Sequence, residues 1–287
     1  MAGIESIANN ANINNEFERV YPSQPIPTEQ ALWFPFQGQK LLVKTQDQGI
    51  TLLQGDQELL ANIKHEELLY IGRYKGQPCI ASALDPEEPL PGDWKAFGLR
   101  ELYNLMPGFE YNIATYASQL INWHKTSRYC PVCGSPMVSV EGGWGRSCVR
   151  GDYTGYPAVI PAIIVLIHDG KRMLMAHKAG WGKRYGLIAG FVEPGETLEE
   201  CVHREVKEEA GIEIEDLQYM NSQPWPFPSQ LMIGFMARYK SGVVQPQDNE
   251  LDDVRWFSSD TLPELPPPSS LAYILISSWL KQYGNQQ

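Results

Sequence analysis

Long apolar runs are missing from this 287-residue chain. None approaches the ~20 residues that a membrane-spanning helix needs. The opening MAGIESIANNANINNEF lacks the cationic and apolar regions of a secretory signal and reads as a polar tail. The final Tyr283-Gly-Asn-Gln-Gln287 is no peroxisomal address. Positive charge is also short: 23 Lys and Arg stand against 34 Asp and Glu, a formal net charge of −11. That balance argues against a broad basic surface for long nucleic acid. It still admits a small phosphorylated ligand met by metals and a few local cations. Cysteine is scarce, with five in all and two in a C-x2-C pair. An odd, small count argues against a disulfide scaffold and for a reducing, cytoplasmic setting. No repeat is visible by period, and no low-complexity tract beyond the Asn-rich start.

What is present suffices for a packed core, with 43% hydrophobic residues and 11% aromatics. The length suggests about two domains. Residues from about 18 to 100 alternate short apolar runs with Gly and Pro turns, as in Ala31–Pro35, Leu41–Val43, Ile50–Leu53 and Leu68–Ile71. That pattern predicts a β-rich domain. Leu99, Leu102, Leu105 and then Ala114, Ala117, Leu120 and Trp123 recur at helical spacing over about 98–125. A cysteine segment follows. The third region opens on an apolar strand at Val159–Ile167, a turn at His168–Lys171 and a partner strand at Arg172–His177. Leu187–Ala189, an acidic helix, strands near Leu231–Tyr239 and Val254–Phe257, the proline-rich Leu265–Pro268 and a helix from about Leu271 to Gln282 complete it. The expected boundaries are 1–125 for the β-rich domain, 126–157 for the cysteine module and 158–287 for the last domain.

The acidic segment carries most of the chemistry: GFVEPGETLEECVHREVKEEAGI from Gly190 to Ile212. Thr197 and Glu200 form a capping box that opens a helix, and Gly211 stands where a left-handed stop belongs. Residues three and four apart share a helix face, so Glu205, Glu208 and Glu209 are expected to project together. Leu198, Val202 and Val206 fall on the same half. Glu199, Glu200, His203 and Lys207 take the other. Carboxylates on a packed face are costly without cations. Arg204 can pair with Glu196 or Glu205, but one guanidinium cannot neutralise four acids. A hard divalent ion such as Mg²⁺ or Mn²⁺ is the natural partner. The competing reading, a solvated acidic face, fits poorly with the apolar residues among the acids.

This segment resembles the signature of the Nudix hydrolases at every fixed position. Members of that family hydrolyse a nucleoside diphosphate linked to another group. The resemblance implies an α/β/α sandwich around a mixed sheet, here preceded by a β-rich, Nudix-like N-terminal domain and a small zinc-ribbon-like module.

That module supplies Cys130, Cys133 and Cys148, but position 151, where a second C-x2-C would close the set, is Gly151. Structural zinc is usually held by four protein ligands. Two readings stay open: Zn²⁺ on three thiolates with water or Asp152, or a metal-free ribbon packed on Trp144, Tyr153 and Tyr156. Cys79 and Cys201 read as ordinary core residues, and His124 as a structural hydrogen-bonding group. His177 and His203 are poor candidates for general bases.

Downstream comes Ser222-Gln-Pro-Trp-Pro-Phe-Pro-Ser-Gln230, in which alternating prolines are expected to hold an extended platform under Trp225 and Phe227. From Ser222 to Pro228 it is similar to the SQPWPFPxS array of the NADH pyrophosphatase subfamily. Gln230 replaces the last serine, with Ser229 one step earlier. Shorter echoes are Phe97–Arg100, Trp123-His124, Tyr156-Pro157 and Leu265–Pro268.

The resemblance implies that the Ala189 carbonyl, Glu205, Glu209 and Glu250 bind divalent metals with Glu208 in support, Asp252 and Asp253 being the competitors of Glu250. Glu205, Glu208 and Glu209 form the implied catalytic set. Gln223, Pro224, Trp225, Pro226, Phe227, Pro228, Ser229 and Gln230 would line a dinucleotide site, with Ala272 from the last helix. Phe191 and Tyr156 match base-stacking positions, Tyr156 from the other subunit of a homodimer. Arg100 matches a phosphate or ribose contact, or a salt bridge.

The implied reaction is NAD(H) plus water giving AMP and nicotinamide mononucleotide, together with removal of the NAD cap from RNA 5′ ends. Competing readings are a hydrolase of ADP-ribose or coenzyme A species, and a non-catalytic NAD(H) or ADP-ribose sensor. Such sensors commonly lose the box acids that survive here. Whether NADH, NAD⁺ or capped RNA is preferred is open at this point.

Overall fold

The computed structural model describes residues 16–22, 24–46, 49–247 and 250–284. Of the expected polar tail, residues 1–15 lie outside the described residues, whereas Phe17 is buried in the first strand and is no part of a tail. Contacts divide the chain into two units, Met1–Ala158 and Val159–Gln287.

In the first unit, short apolar runs between Gly and Pro turns yield β1 (Phe17–Arg19), β2 (Ala31–Gln37), β3 (Lys40–Gln46), β4 (Gly49–Gly55), β5 (Leu69–Tyr74), β6 (Gln77–Leu84) and β7 (Trp94–Gly98). They form one sheet in the order β1-β5-β6-β2-β4-β3-β7. Only β2 and β6 pair in parallel among these neighbours. Trp33, Leu42, Leu53, Ile80 and Trp94 fill one core. A short helix, α1 (Leu99–Leu102), leads to α2 (Gly108–Thr126), which buries Ile113, Ala114, Ala117, Leu120 and Ile121 at helical spacing. Three short strands follow, β8 (Met137–Ser139), β9 (Arg146–Cys148) and β10 (Thr154–Gly155), in the antiparallel order β10-β9-β8.

The second unit holds β11 (Ile160–His168), β12 (Arg172–His177), β13 (Ile188–Phe191), β14 (Ile212–Trp225), β15 (Gln230–Gly242) and β16 (Asp253–Ser258). The sheet runs β14-β15-β11-β12-β16, with β13 joining β11. It is mixed, because β11 and β15 pair in parallel while the other neighbours are antiparallel. Side chains of a strand alternate between the faces of its sheet. Ile163, Val165 and Ile167 of β11 accordingly enter one core, with Cys201, Val202 and Val206 of α3 (Leu198–Ala210). Ile164 and Leu166 enter the other, with Leu275, Ile276 and Trp279 of α4 (Leu271–Tyr283). A central strand buried on both faces must read as a continuous apolar run, and this layering is the α/β/α sandwich. The run opens later than its letters suggest, since Val159 and Ile160 are exposed.

Strand β14 has no counterpart in the sequence reading. Its residues IEIEDLQYMNSQPW are largely charged or polar, and it lies at the sheet edge beside β15 with register shifts along the ladder. An edge strand has one free side and needs little apolar character. Among the described residues, no helix is long and apolar enough to cross a membrane.

Candidate active site

Helix α3 begins and ends as its caps dictate. The Thr197 side chain accepts from the Glu200 backbone N–H, the Glu200 carboxylate returns to the Thr197 N–H, and Gly211 is left-handed at φ +72°. Between these caps Cys201, Val202, Val206, Glu209 and Ala210 are buried, whereas Glu199, Glu200, His203 and Lys207 face out.

The acids do not all share the packed side. Glu209 is only 5% exposed and the Glu205 side chain 13%, but the Glu208 side chain is 55% exposed. The sequence expectation for Glu208 is therefore corrected. At about 100° per residue, Glu208 and Glu209 lie a quarter-turn apart on the helix, and burial of Glu209 turns Glu208 to the flank. There its carboxylate accepts from Arg204 Nη1 at 3.0 Å.

Arg204 organises the rest. Its guanidinium donates to Glu196 through Nε and Nη2, to Glu205 through Nη1 at 2.8 Å and to the Phe191 carbonyl at 2.9 Å. Glu196 is thereby held down to about 2, first by the Arg204 hydrogen bond and then by the Glu193 N–H. Glu205 moves the other way. Burial raises it above the usual carboxylate range, the charges of Glu208 and Glu250 add to the rise, and Arg204 opposes it. Two neighbouring acids thus bear on one partly desolvated carboxylate.

Gly190 shows how tightly this carboxylate is seated. A Cβ built there would lie 1.9 Å from Glu205 Cδ and Oε1 and 2.3 Å from Oε2. The missing side chain is the room that Glu205 occupies. Gly190 and Ala189 belong to β13, paired with Ile163 and Ile164 of β11, so the rigid central sheet fixes that wall. Cys201 closes the layer beneath, buried, with its thiol pushed up to about 11 by burial and donating to the Phe191 carbonyl at 3.3 Å.

Across the site, Lys178 pairs with Glu250. Nothing in the sequence links these two positions, and Lys178 was not among the expected site residues. Asp252 and Asp253 are engaged elsewhere: His177 holds Asp252, while Arg255 and the Tyr185 hydroxyl hold Asp253. His177 also meets the Gly182 carbonyl through Nε2 at 2.9 Å. Two acceptors flank this ring, and Asp252 followed by Gly182 raises it above the usual imidazole range. Its role is to tie down the loop after β12.

The aromatic array is not the extended platform expected. Ser222 to Trp225 complete β14, Pro226 to Ser229 make the turn, and Trp225 pairs with Gln230 at the start of β15. Pro224 costs no ladder bond on the free side of an edge strand, and Pro226 and Pro228 suit the turn. Trp225 and Phe227 meet edge to face at 5.1 Å. Ser229 is buried. The Gln223 amide is already used: Nε2 donates to the Ser269 carbonyl and Oε1 accepts from the Leu271 N–H, each at 2.8 Å. This clamp ties the hairpin to the start of α4, where the Ala272 side chain is buried. Phe191, beside Gly190, is 51% exposed.

Arg100 and Tyr156 belong to the first unit. Arg100 is exposed on α1, and Tyr156 is 62% exposed with its ring against Gly145. In the same unit the ligand atoms of Cys130, Cys133 and Cys148 all lie within 4.8 Å of one another. They and Met137 form the small core of this module. The aromatic core expected for a metal-free ribbon is not formed, since Tyr153 and Tyr156 are exposed. Trp144 instead bonds outward: its Nε1 donates to the Tyr116 hydroxyl at 2.8 Å, and its carbonyl accepts from Trp123 Nε1 at 2.7 Å.

A NUDIX domain profile matches residues 159–276. An NADH pyrophosphatase-like rudimentary NUDIX domain matches 30–123, and an NADH pyrophosphatase zinc ribbon domain matches 125–151. A relative from Chromobacterium violaceum, named NAD-capped RNA hydrolase NudC, is 36% identical over 261 residues, covering 89% of this chain and 94% of its own. The chain belongs to the NADH pyrophosphatase group of the Nudix hydrolases. A Pseudomonas fluorescens Nudix hydrolase of the same name is 40% identical over 212 residues, 73% of this chain and 76% of its own. A NUDIX hydrolase structure from Nitrosomonas europaea superposes with a TM-score of 0.47 at 22% identity, covering 56% of this chain and 94% of that one.

The donor set at the acidic site fits the divalent metals that Nudix enzymes use. Carboxylates and a main-chain carbonyl are hard oxygen ligands, and Glu209 and Glu205 are withdrawn from water beside further acids.

Proposed function

We propose that this protein hydrolyses the pyrophosphate bond of NAD(H), giving AMP and nicotinamide mononucleotide in the matching redox state, and that it removes the NAD cap from RNA 5′ ends. The observation that carries this reading is the seating of Glu205 in the space left by Gly190, with buried Glu209 on the same helix and the charge of Glu250 reaching Glu205. The names of its relatives support the choice of substrate.

Mg²⁺ or Mn²⁺ would be held by the Ala189 carbonyl, Glu205, Glu209 and Glu250. When bound there, such ions neutralise phosphate charge and acidify water. The chain's own residues do the rest. Arg204 holds Glu196, Glu205 and Glu208 in one network, so the carboxylates need little reorganisation as charge develops. Water attacks one phosphorus, the bond from that phosphorus to the bridging oxygen breaks, and the electron pair leaves on the other phosphate. Of Glu208 and Glu209, the proposed acceptor of the water's proton is Glu209, which is buried on the helix that carries Glu205, whereas Glu208 is exposed. Phe191, Trp225 and Phe227 offer aromatic faces for the bases, while Gln223 fixes the hairpin on α4. Gln230 and Ala272 complete the proposed substrate contacts of the second unit. A homodimer in the cytoplasm belongs to the same proposal, its oligomeric state to be read by light scattering.

The test is a substrate panel. Purified protein with Mg²⁺ or Mn²⁺ is offered NADH, NAD⁺, ADP-ribose and NAD-capped RNA, and products are resolved by chromatography. AMP and the mononucleotide are expected from NAD(H), and a 5′-monophosphate end from capped RNA. Preferential turnover of ADP-ribose with NAD(H) intact refutes the assignment. Uncapped RNA of equal length should bind much more weakly than capped RNA, given the chain's net charge of −11.

A further inference from the structure

The cysteine module departs from a four-thiolate ribbon at Gly151, yet a tight turn after Cys148 still directs a backbone N–H at its sulfur. In the first knuckle Gly134, at φ +72°, donates through N–H to the Cys130 carbonyl at 2.9 Å. After Cys148 the turn is one residue shorter: Gly151, at φ +81°, stands where the second ligand of a knuckle would be and donates to the Cys148 carbonyl at 2.9 Å. The Arg150 N–H is aimed at Cys148 Sγ, 3.4 Å away, as amides in such turns support a thiolate. Gly151 supplies no sulfur, and the space beside it is open, since a Cβ built there would meet nothing within 4 Å.

Asp152 stands beside that opening. Its carboxylate is in hydrogen-bond contact with the Cys133 side chain, and its backbone N–H is in hydrogen-bond contact with Cys148 Sγ. Cys133 Sγ and Cys148 Sγ are 3.5 Å apart. Sulfurs bound to one tetrahedral zinc at ~2.3 Å each lie ~3.8 Å from each other, so this spacing is close to that of a loaded site. The carboxylate is outside the 4.8 Å group formed by the three sulfurs, touching it at Cys133 and lying 3.8 Å from Arg150 Nε.

We propose that Asp152 is the fourth ligand of a Cys₃Asp zinc site, its carboxylate turning from Arg150 to the vertex that Gly151 leaves open. Zinc accepts aspartate oxygen alongside thiolates. The ligand is displaced one residue along the knuckle, and the flexible side chain spans the step. This site is separate from the acidic cluster, so its test does not depend on turnover.

The full-length protein, purified under reducing conditions, is analysed for bound metal, then loaded with Co²⁺ and followed by visible and near-ultraviolet absorption. One zinc per chain is expected. The Co²⁺ form should show tetrahedral ligand-field bands and thiolate charge transfer of three-sulfur intensity. Loss of outer-sphere partners alone costs 10- to 100-fold in affinity, so Asp152→Ala is expected to weaken zinc by at least about 100-fold. Asp152→Cys is the decisive variant, because it should retain the metal and raise the charge-transfer intensity to that of four thiolates. A native protein without zinc overturns the proposal. So does an Asp152→Ala protein with unchanged affinity and spectrum, or an Asp152→Cys protein still at three sulfurs. Circular dichroism of each variant separates loss of a ligand from loss of fold.

Discussion

Replacement of Gly190 by alanine should separate folding from chemistry. The added Cβ would lie 1.9 Å from the Glu205 carboxylate. Ordinary contact begins near 3.4 Å, so the carboxylate must retreat by about 1.5 Å. Gly190 is not among the glycines with positive φ, and the backbone accepts alanine without strain. The clashing atoms are the free end of a flexible side chain, for which an off-rotamer torsion costs about 0.5–1.5 kcal/mol. The smaller unfolded-state freedom of alanine offsets about 0.4–1 kcal/mol of that. Stability should therefore stay within about 1 kcal/mol of the native protein. Activity should not. A misplacement of about 1 Å in a catalytic group costs about 100-fold, so kcat for NADH hydrolysis should fall at least that far. The assay is AMP release with Mn²⁺, beside thermal melts of the same preparations. Turnover within about threefold of native would refute the placement of Glu205 in the chemistry. A collapsed melting temperature would show that Gly190 is needed for packing instead. A double-mutant cycle adds a second check. Glu205→Asp withdraws the carboxylate by one methylene, so combined with Gly190→Ala it should cost less than the two single losses together.

Glu209→Gln keeps size and removes the charge. Turnover should fall by roughly 100-fold or more with the circular dichroism spectrum unchanged, and unchanged turnover would remove Glu209 from the mechanism. Gln223→Ala strands the Ser269 carbonyl and the Leu271 N–H. At about 1–3 kcal/mol per stranded buried group, urea unfolding should show a loss of about 2–6 kcal/mol, and a loss under about 0.5 kcal/mol would mean that the clamp is solvated. His177 has its folded-state pKa raised by Asp252 and the Gly182 carbonyl. Its proton is thus held more tightly in the folded state. The stabilisation is complete below about pH 6.5 and is lost as pH rises through the folded value. The melting temperature of the native protein should exceed that of His177→Gln most at low pH, with the gap closing toward alkaline pH. A gap independent of pH contradicts this.

Much of the second unit was legible because each local signal had a single physical solution. Thr197, Glu200 and Gly211 mark the ends of α3, and the apolar run of β11 admits only a strand covered on both faces. The sequence reading went astray where tertiary context decides. Glu208 and Glu209 both fall toward the apolar half of α3, but only the packing of α3 on the sheet shows which one is turned out. The prolines of Ser222–Gln230 read as an extended platform because the letters do not reveal that β14 is an edge strand with β15 returning beside it. Strand β14 itself was missed for the same reason, since an edge needs little apolar alternation. Lys178 and Glu250 lie 72 residues apart, and no spacing rule joins them.

The ion network around Arg204 has a thermodynamic consequence. Glu196, Glu205, Glu208, Glu209 and Glu250 outnumber Arg204 and Lys178 among the described residues named at this site. A diphosphate bridge brings further anionic charge to the same few ångströms, so dinucleotide and divalent cation should each raise the other's affinity by an equal factor. A cell short of free divalent cation would then find this protein a poor store for nicotinamide dinucleotides, because tight binding and turnover call on the same counterion.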